Sequence, residues 1–166
     1  MNEVVHPVFR FRFSAESVAG AIYGFVTAMA VIAALANKAA NVYFMAGAAI
    51  ATVVALALTY IYAHWLAGSY SSGDAGHAGS RKAFQFELPT LVGPVVLGLV
   101  MIIEHLAGVD TVAAAESTMW VGTVALFFLG YRIALQGGHG FRAAIGFGLL
   151  DALIGASLVL AKVLVH

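Results

Sequence analysis

Cysteine is absent from this 166-residue chain, which removes disulfides, thiolate metal sites and cysteine nucleophiles from consideration. Charge is scarce as well. Eight basic and eight acidic residues make up only 10% of the sequence and cancel, so nothing in the balance favours nucleic acid as a partner. The six histidines are scattered with no pair at i,i+4, which excludes the zinc-hydrolase helix pattern. No serine or threonine stands in a nucleophile elbow. The "GGHG" at 137–140 lacks the strand and lysine of a phosphate cradle and reads as a turn. Hydrolysis and group transfer therefore have no residues to carry them. The chain reads as a non-enzyme with no cofactor and no metal-ligand set.

What the sequence does have is apolar length. Hydrophobic residues make up 62% and mean hydropathy is +0.96, too apolar for a water-facing domain of this size. Five segments reach the roughly 20 residues that cross a bilayer: about 15–36, 42–67, 83–107, 113–135 and 141–165. An all-α integral membrane bundle of five helices, one domain over 1–166, is the expected fold. Ala34-Leu35-Ala36 resembles a signal-peptidase site, but the run from Val18 to Ala36 is long enough to span. It is expected to be a retained helix. The connections are short except for "AGSYSSGDAGHAGSR", a Gly/Ser linker between the second and third segments.

Lys and Arg collect in cytoplasmic loops. With the N-terminus inside, Arg10, Arg12, Arg81, Lys82, Arg132 and Arg142 are cytoplasmic and only Lys38 and Lys162 lie opposite. The expected orientation is N-terminus in, C-terminus out. Small residues at helical spacing mark helix contacts in lipid. Gly20 and Gly24 do so in the first segment, Gly47, Ala51 and Ala55 in the second, Gly148 and Gly155 in the fifth. The expected partners are the bilayer and either a second copy or a membrane-protein complex.

Few ionisable residues fall within these segments. Glu87 and Glu104 are 17 positions apart, roughly 25 Å along a helix, so each fits near one interface of a ~30 Å hydrocarbon core. Pro89 and Pro94 follow Glu87. Pro94 has no N–H for the carbonyl of Thr90, and a loosened turn beside a carboxylate suits either an ion site or an ordinary bend. Asp151 stands nine residues after Arg142 and eleven before Lys162, close to mid-depth and on one face with Gly148 and Gly155. A carboxylate there marks either a transport path or a hydrogen-bonded helix contact. On the first segment Glu16, Gly20, Tyr23 and Thr27 share a face, and Glu16 also suits a helix start. Tyr60 and His64 share one on the second. By depth, Glu16, His64 and Glu87 gather at the cytoplasmic mouth, with Tyr23 and Asp151 further in. That set can relay protons or hold a hard cation.

The stretch "GAIYGFVTAMAVIAAL" resembles the first helix of the vacuolar iron transporter family, which opens on Gly-Ala-Asn-Asp-Gly. "ALFFLGYRIALQGGHGFRAAIGFGLL" is similar to that family's fourth-to-fifth helix hairpin. Gly20, Ala21 and Gly24 keep the opening motif, while Tyr23 stands where the family carries its metal-binding aspartate. The family's glutamate-rich domain between helices two and three has no counterpart in the Gly/Ser linker. The resemblance implies a dimeric five-helix bundle with a cytoplasmic N-terminus. The chain is also similar to small five-helix membrane proteins of actinobacteria, which implies a multi-pass plasma-membrane protein.

Two functional readings follow. One is a proton-coupled or cation transporter with a polar path through Glu87 and Asp151. The other is a non-catalytic scaffold or accessory subunit whose polar residues only hold helices together.

Overall fold

A computed structural model describes residues 15–36, 41–71 and 87–164, with side chains throughout except at 15, 16 and 68–71. These residues form five helices and no strand: α1 (Ala15–Leu35), α2 (Val42–Ser71), α3 (Val92–Leu106), α4 (Thr111–Gln136) and α5 (Phe141–Leu164). A 3-10 turn, Leu88–Leu91, leads into α3. All five helical stretches are long and apolar enough to cross a membrane. Leu58, Ile103, Leu153 and Val163 are each more than 60% exposed. Side chains of that kind would lose roughly 1.5–3 kcal/mol apiece in water relative to burial, so lipid is their solvent.

Local chemistry sets the helix ends. Asn41 accepts the backbone N–H of Phe44 at 2.7 Å and caps the start of α2. Asp110 accepts that of Val112 at 3.0 Å, so α4 begins at Thr111, two residues before the apolar run at 113. The α3–α4 and α4–α5 corners are built alike. At the first, the N–H of Gly108 bonds the His105 carbonyl and that of Val109 the Glu104 carbonyl. At the second, Gly138 bonds Leu135 and His139 bonds Ala134. Gly108 and Gly138 adopt φ of +89° and +79°, the left-handed conformation that closes such a turn. At its other end α2 runs on to Ser71, past the expected limit at 67.

The third span differs from one continuous helix. Pro94 cannot donate to the carbonyl four residues back, and the chain takes the tighter 3-10 spacing there, with the Val92 N–H on the Pro89 carbonyl. The Thr90 hydroxyl donates to the Glu87 carbonyl at 2.5 Å. The carbonyl of Thr90 then lies directly against Gly24 of α1. A Cβ on Gly24 would overlap its oxygen, and one on Gly93 would overlap the backbone of Gly24 and Phe25. Two glycines thus let α1 and the start of α3 meet backbone to backbone.

α1 is the hub of the bundle and packs against each of the other helices. Its Ala28, Met29 and Ile32 are fully buried with Met45, Leu97, Met101 and Met119. α5 sits at the edge, paired chiefly with α4. There Gly148 admits the Phe127 carbonyl and Gly155 the Thr123 side chain. The small residues of α2 are a correction to the sequence reading. Gly47, Ala51 and Ala55 are exposed, with nothing within 4 Å of a Cβ at Gly47. The buried side of α2 is instead Val42, Met45, Ala46, Ala49 and Val53.

At the end where α3 passes to α4, two polar contacts tie the helices. Ser117 donates to Glu104 at 2.5 Å. Lys162 donates to Glu116 at 3.0 Å, with side-chain exposures of 5% and 57%. The Lys162 ammonium is the buried partner, so its loss and the loss of Glu116 are not equivalent. Glu116→Gln should cost about 1 kcal/mol, the low end for an unpaired buried donor, because water reaches the half-exposed partner. Lys162→Met should be close to neutral, since an apolar chain suits that site. Thermal unfolding in detergent checks the order. A larger loss from Lys162→Met would reverse the assignment.

Candidate functional site

The polar side chains that meet are on the face where α1 begins and α2 ends. A cavity of about 550 Å³ opens there between α1, α2 and the Leu88–Leu91 turn. Its polar lining is Tyr23 of α1, Thr59 and Tyr60 of α2, and Glu87 and Thr90 at the turn, while Ala19, Leu56 and Ala63 supply apolar wall. The 3-10 turn places Glu87. It sets Glu87 and Thr90 three residues apart and one above the other, with the Thr90 hydroxyl 3.5 Å from Oε2.

Glu87 stands one residue ahead of the apolar span Leu88–Leu106. Burial against the turn pushes its carboxyl above the ordinary value of 4.5, and the Thr90 hydroxyl and the charge of His64 oppose that shift. His64 stacks on Tyr60 with ring centroids 4.1 Å apart, and its Nδ1 is 3.2 Å from the Tyr60 carbonyl. When Nδ1 carries the proton it donates to that carbonyl and leaves Nε2 as the free acceptor. Among the described residues the site thus holds one carboxylate, one imidazole and two phenols over an apolar floor.

Of the residues singled out from sequence, Tyr23 and Glu87 line this cavity, and His64 lies one turn beyond Tyr60. Asp151 does not line it. Its carboxylate is half-buried between α4 and α5 and packs on Gly130, where a Cβ would overlap Oδ2. Glu16 is the second residue of α1, but its side chain lies outside the described residues, as do Arg10, Arg12, Lys38, Arg81 and Lys82. Thr59 was missed. Its signal was the 56, 59, 60, 63 spacing, which is one helical face running beside Tyr60. Among the described residues no three His, Asp or Glu side chains gather as a metal site. No family model, curated protein or solved structure matches this chain.

Proposed function

We propose that this multi-pass membrane protein moves a small cation across the bilayer in exchange for protons, and that Glu87 is the group both compete for. The observation that carries the reading is the cavity that joins Glu87 to Tyr23, Thr59, Tyr60 and Thr90 within the membrane-facing bundle. A carboxylate held above its ordinary pKa keeps its proton to a higher pH than an exposed glutamate does, which favours exchange of a proton for a cation. One carboxylate beside two phenol rings, the set found among the described residues, suits a monovalent, partly apolar cation, whose charge the rings also attract. Divalent ions call for more oxygen ligands. Asp151 stands apart from this cavity, against Gly130 in the α4–α5 contact, and its part in moving protons is tested separately by Asp151→Asn.

Counterflow or pH-dye assays on the full chain in proteoliposomes test the reading, with Glu87→Gln as the paired variant. Wild-type vesicles that pass neither protons nor monovalent cations would favour the scaffold instead.

The proposed orientation places the N-terminus in the cytoplasm. Since the chain has no cysteine of its own, single substitutions report cleanly. A cysteine in place of Asp110 should react with an impermeant maleimide on intact cells, and one in place of His139 should stay protected until the cells are opened. The reverse pattern would invert the topology.

A further inference from the structure

A second cavity backs onto the first. It lies between α1, the same 3-10 turn and the end of α4, with a volume of about 360 Å³. Val18 and Ala21 of α1, Leu88 and Pro89 of the turn, and Leu129 of α4 form its apolar length. Arg132 and Gln136, one helical turn apart on α4, stand at its polar end. Among the described residues no carboxylate lines it. Arg132 is exposed and makes no ion pair or hydrogen bond among the described residues.

We propose that this groove is a binding site for one anionic glycerophospholipid of the surrounding bilayer, with an acyl chain along the apolar wall and the phosphate on Arg132. The chemistry of the two ends matches that of the lipid. The groove lies where the first residues of the span Leu88–Leu106 meet the last two turns of α4, at the membrane edge where acyl chain gives way to headgroup. A guanidinium offers five N–H donors in a planar fork that fits phosphate oxygens bidentately. Gln136 adds an amide donor. A cation with no ion-pair partner among the described residues, set on a low-dielectric wall, draws the lipid of net negative charge over the zwitterionic one, whose ammonium competes with Arg132 for the phosphate. Arg142, the second residue of α5, adds positive charge on the same membrane face. The site stands independently of any cation path through Glu87.

Native mass spectrometry of the full chain, released from detergent with added phosphatidylglycerol or phosphatidylcholine, tests the assignment. Wild type should keep one phosphatidylglycerol and hold it about tenfold more tightly than phosphatidylcholine. Arg132→Gln should erase that preference, Arg132→Lys should keep most of it, and Val92→Trp, which fills the groove from an exposed position, should weaken both lipids. Size-exclusion profiles of the variants confirm folding, since both positions lie outside the core. Equal retention of the two lipids by wild type, or unchanged retention in Arg132→Gln or Val92→Trp, overturns the proposal. Displacement of the lipid by inorganic phosphate at matched concentration also overturns it, because the site would then be one for a free anion.

Discussion

Leucine in place of Gly24 should leave little folded protein in detergent. The reason is that the neighbour is backbone. Any Cβ at Gly24 overlaps the carbonyl oxygen of Thr90, which no rotamer change can move away. Alanine already collides, and leucine adds three further carbons to a closed contact. Overpacking of well-packed sites costs typically about 1–3 kcal/mol, and a rigid neighbour sets this case at the top of that range. Gly93→Ala should behave alike, because its Cβ meets the backbone of Gly24 and Phe25. Gly47→Ala is the matched control: it adds the same methyl group to an exposed helix position with nothing within 4 Å. Monodisperse yield and thermal unfolding should therefore rank Gly47→Ala with wild type, Gly24→Ala and Gly93→Ala below it, and Gly24→Leu last. Wild-type behaviour of Gly24→Leu would mean that α1 and the start of α3 do not touch there.

Glu87→Gln should reduce cation flux about tenfold or more at sub-saturating cation while leaving yield and unfolding unchanged. The amide keeps the size of the side chain and its contact with Thr90 but has no charge to offer. Hydrogen bonds to a charged group contribute about 1.5–3 kcal/mol, so affinity for the cation should fall about tenfold to a hundredfold. The pH profile follows from the same carboxyl. Its pKa is raised from 4.5 by burial, so protons occupy it at a higher pH than they would an exposed glutamate. Cation binding needs the ionised form. Apparent affinity should thus hold at high pH and weaken as pH falls through the raised value, by about tenfold per unit below it. Uptake that ignores pH, or survives Glu87→Gln, removes Glu87 from the path. Asp151→Asn separates two roles. Flux is lost if the carboxyl handles protons, and is kept, with equal or higher stability, if it only fills the space beside Gly130.

The five helices were legible because a bilayer demands some 20 apolar residues in a row, and the chain supplies five such runs. Their ends were less so. Asp110 caps α4 two residues ahead of the apolar run, and Pro94 turns the first residues of the third span into 3-10 geometry. Which face looks inward was harder still. In lipid both faces of a helix are apolar, so hydrophobicity does not mark the core, and small residues serve as the only guide. That guide worked for Gly24, Gly148 and Gly155. It misplaced Gly47, Ala51 and Ala55, which face outward. Depth set Glu87 at the mouth and Tyr23 further in, at the level of Asp151. That Tyr23 and Glu87 line one cavity depends on the close approach of α1 to the 3-10 turn. The seat of Asp151 on Gly130 depends on the register between α4 and α5, and no local pattern encodes that.

The position of α1 bears on how the molecule is made. The helix that touches all the others precedes them in chain order, so these partners arrive one after another behind it during synthesis. Until α3 is inserted, the notch at Gly24 has no Thr90 carbonyl to fill it, and lipid must occupy the groove. Met29 waits likewise for Met119 and Gly122 of α4. α1 carries no Lys, Arg or Asp over Ser17–Leu35, and its only intramembrane polar groups are hydroxyls, so waiting in lipid costs it little. The peripheral α5, by contrast, brings Asp151 and Lys162 and is made after the other four, when Gly130 and Glu116 are already in place to receive them. The order of the chain thus matches the order in which each helix can tolerate being alone.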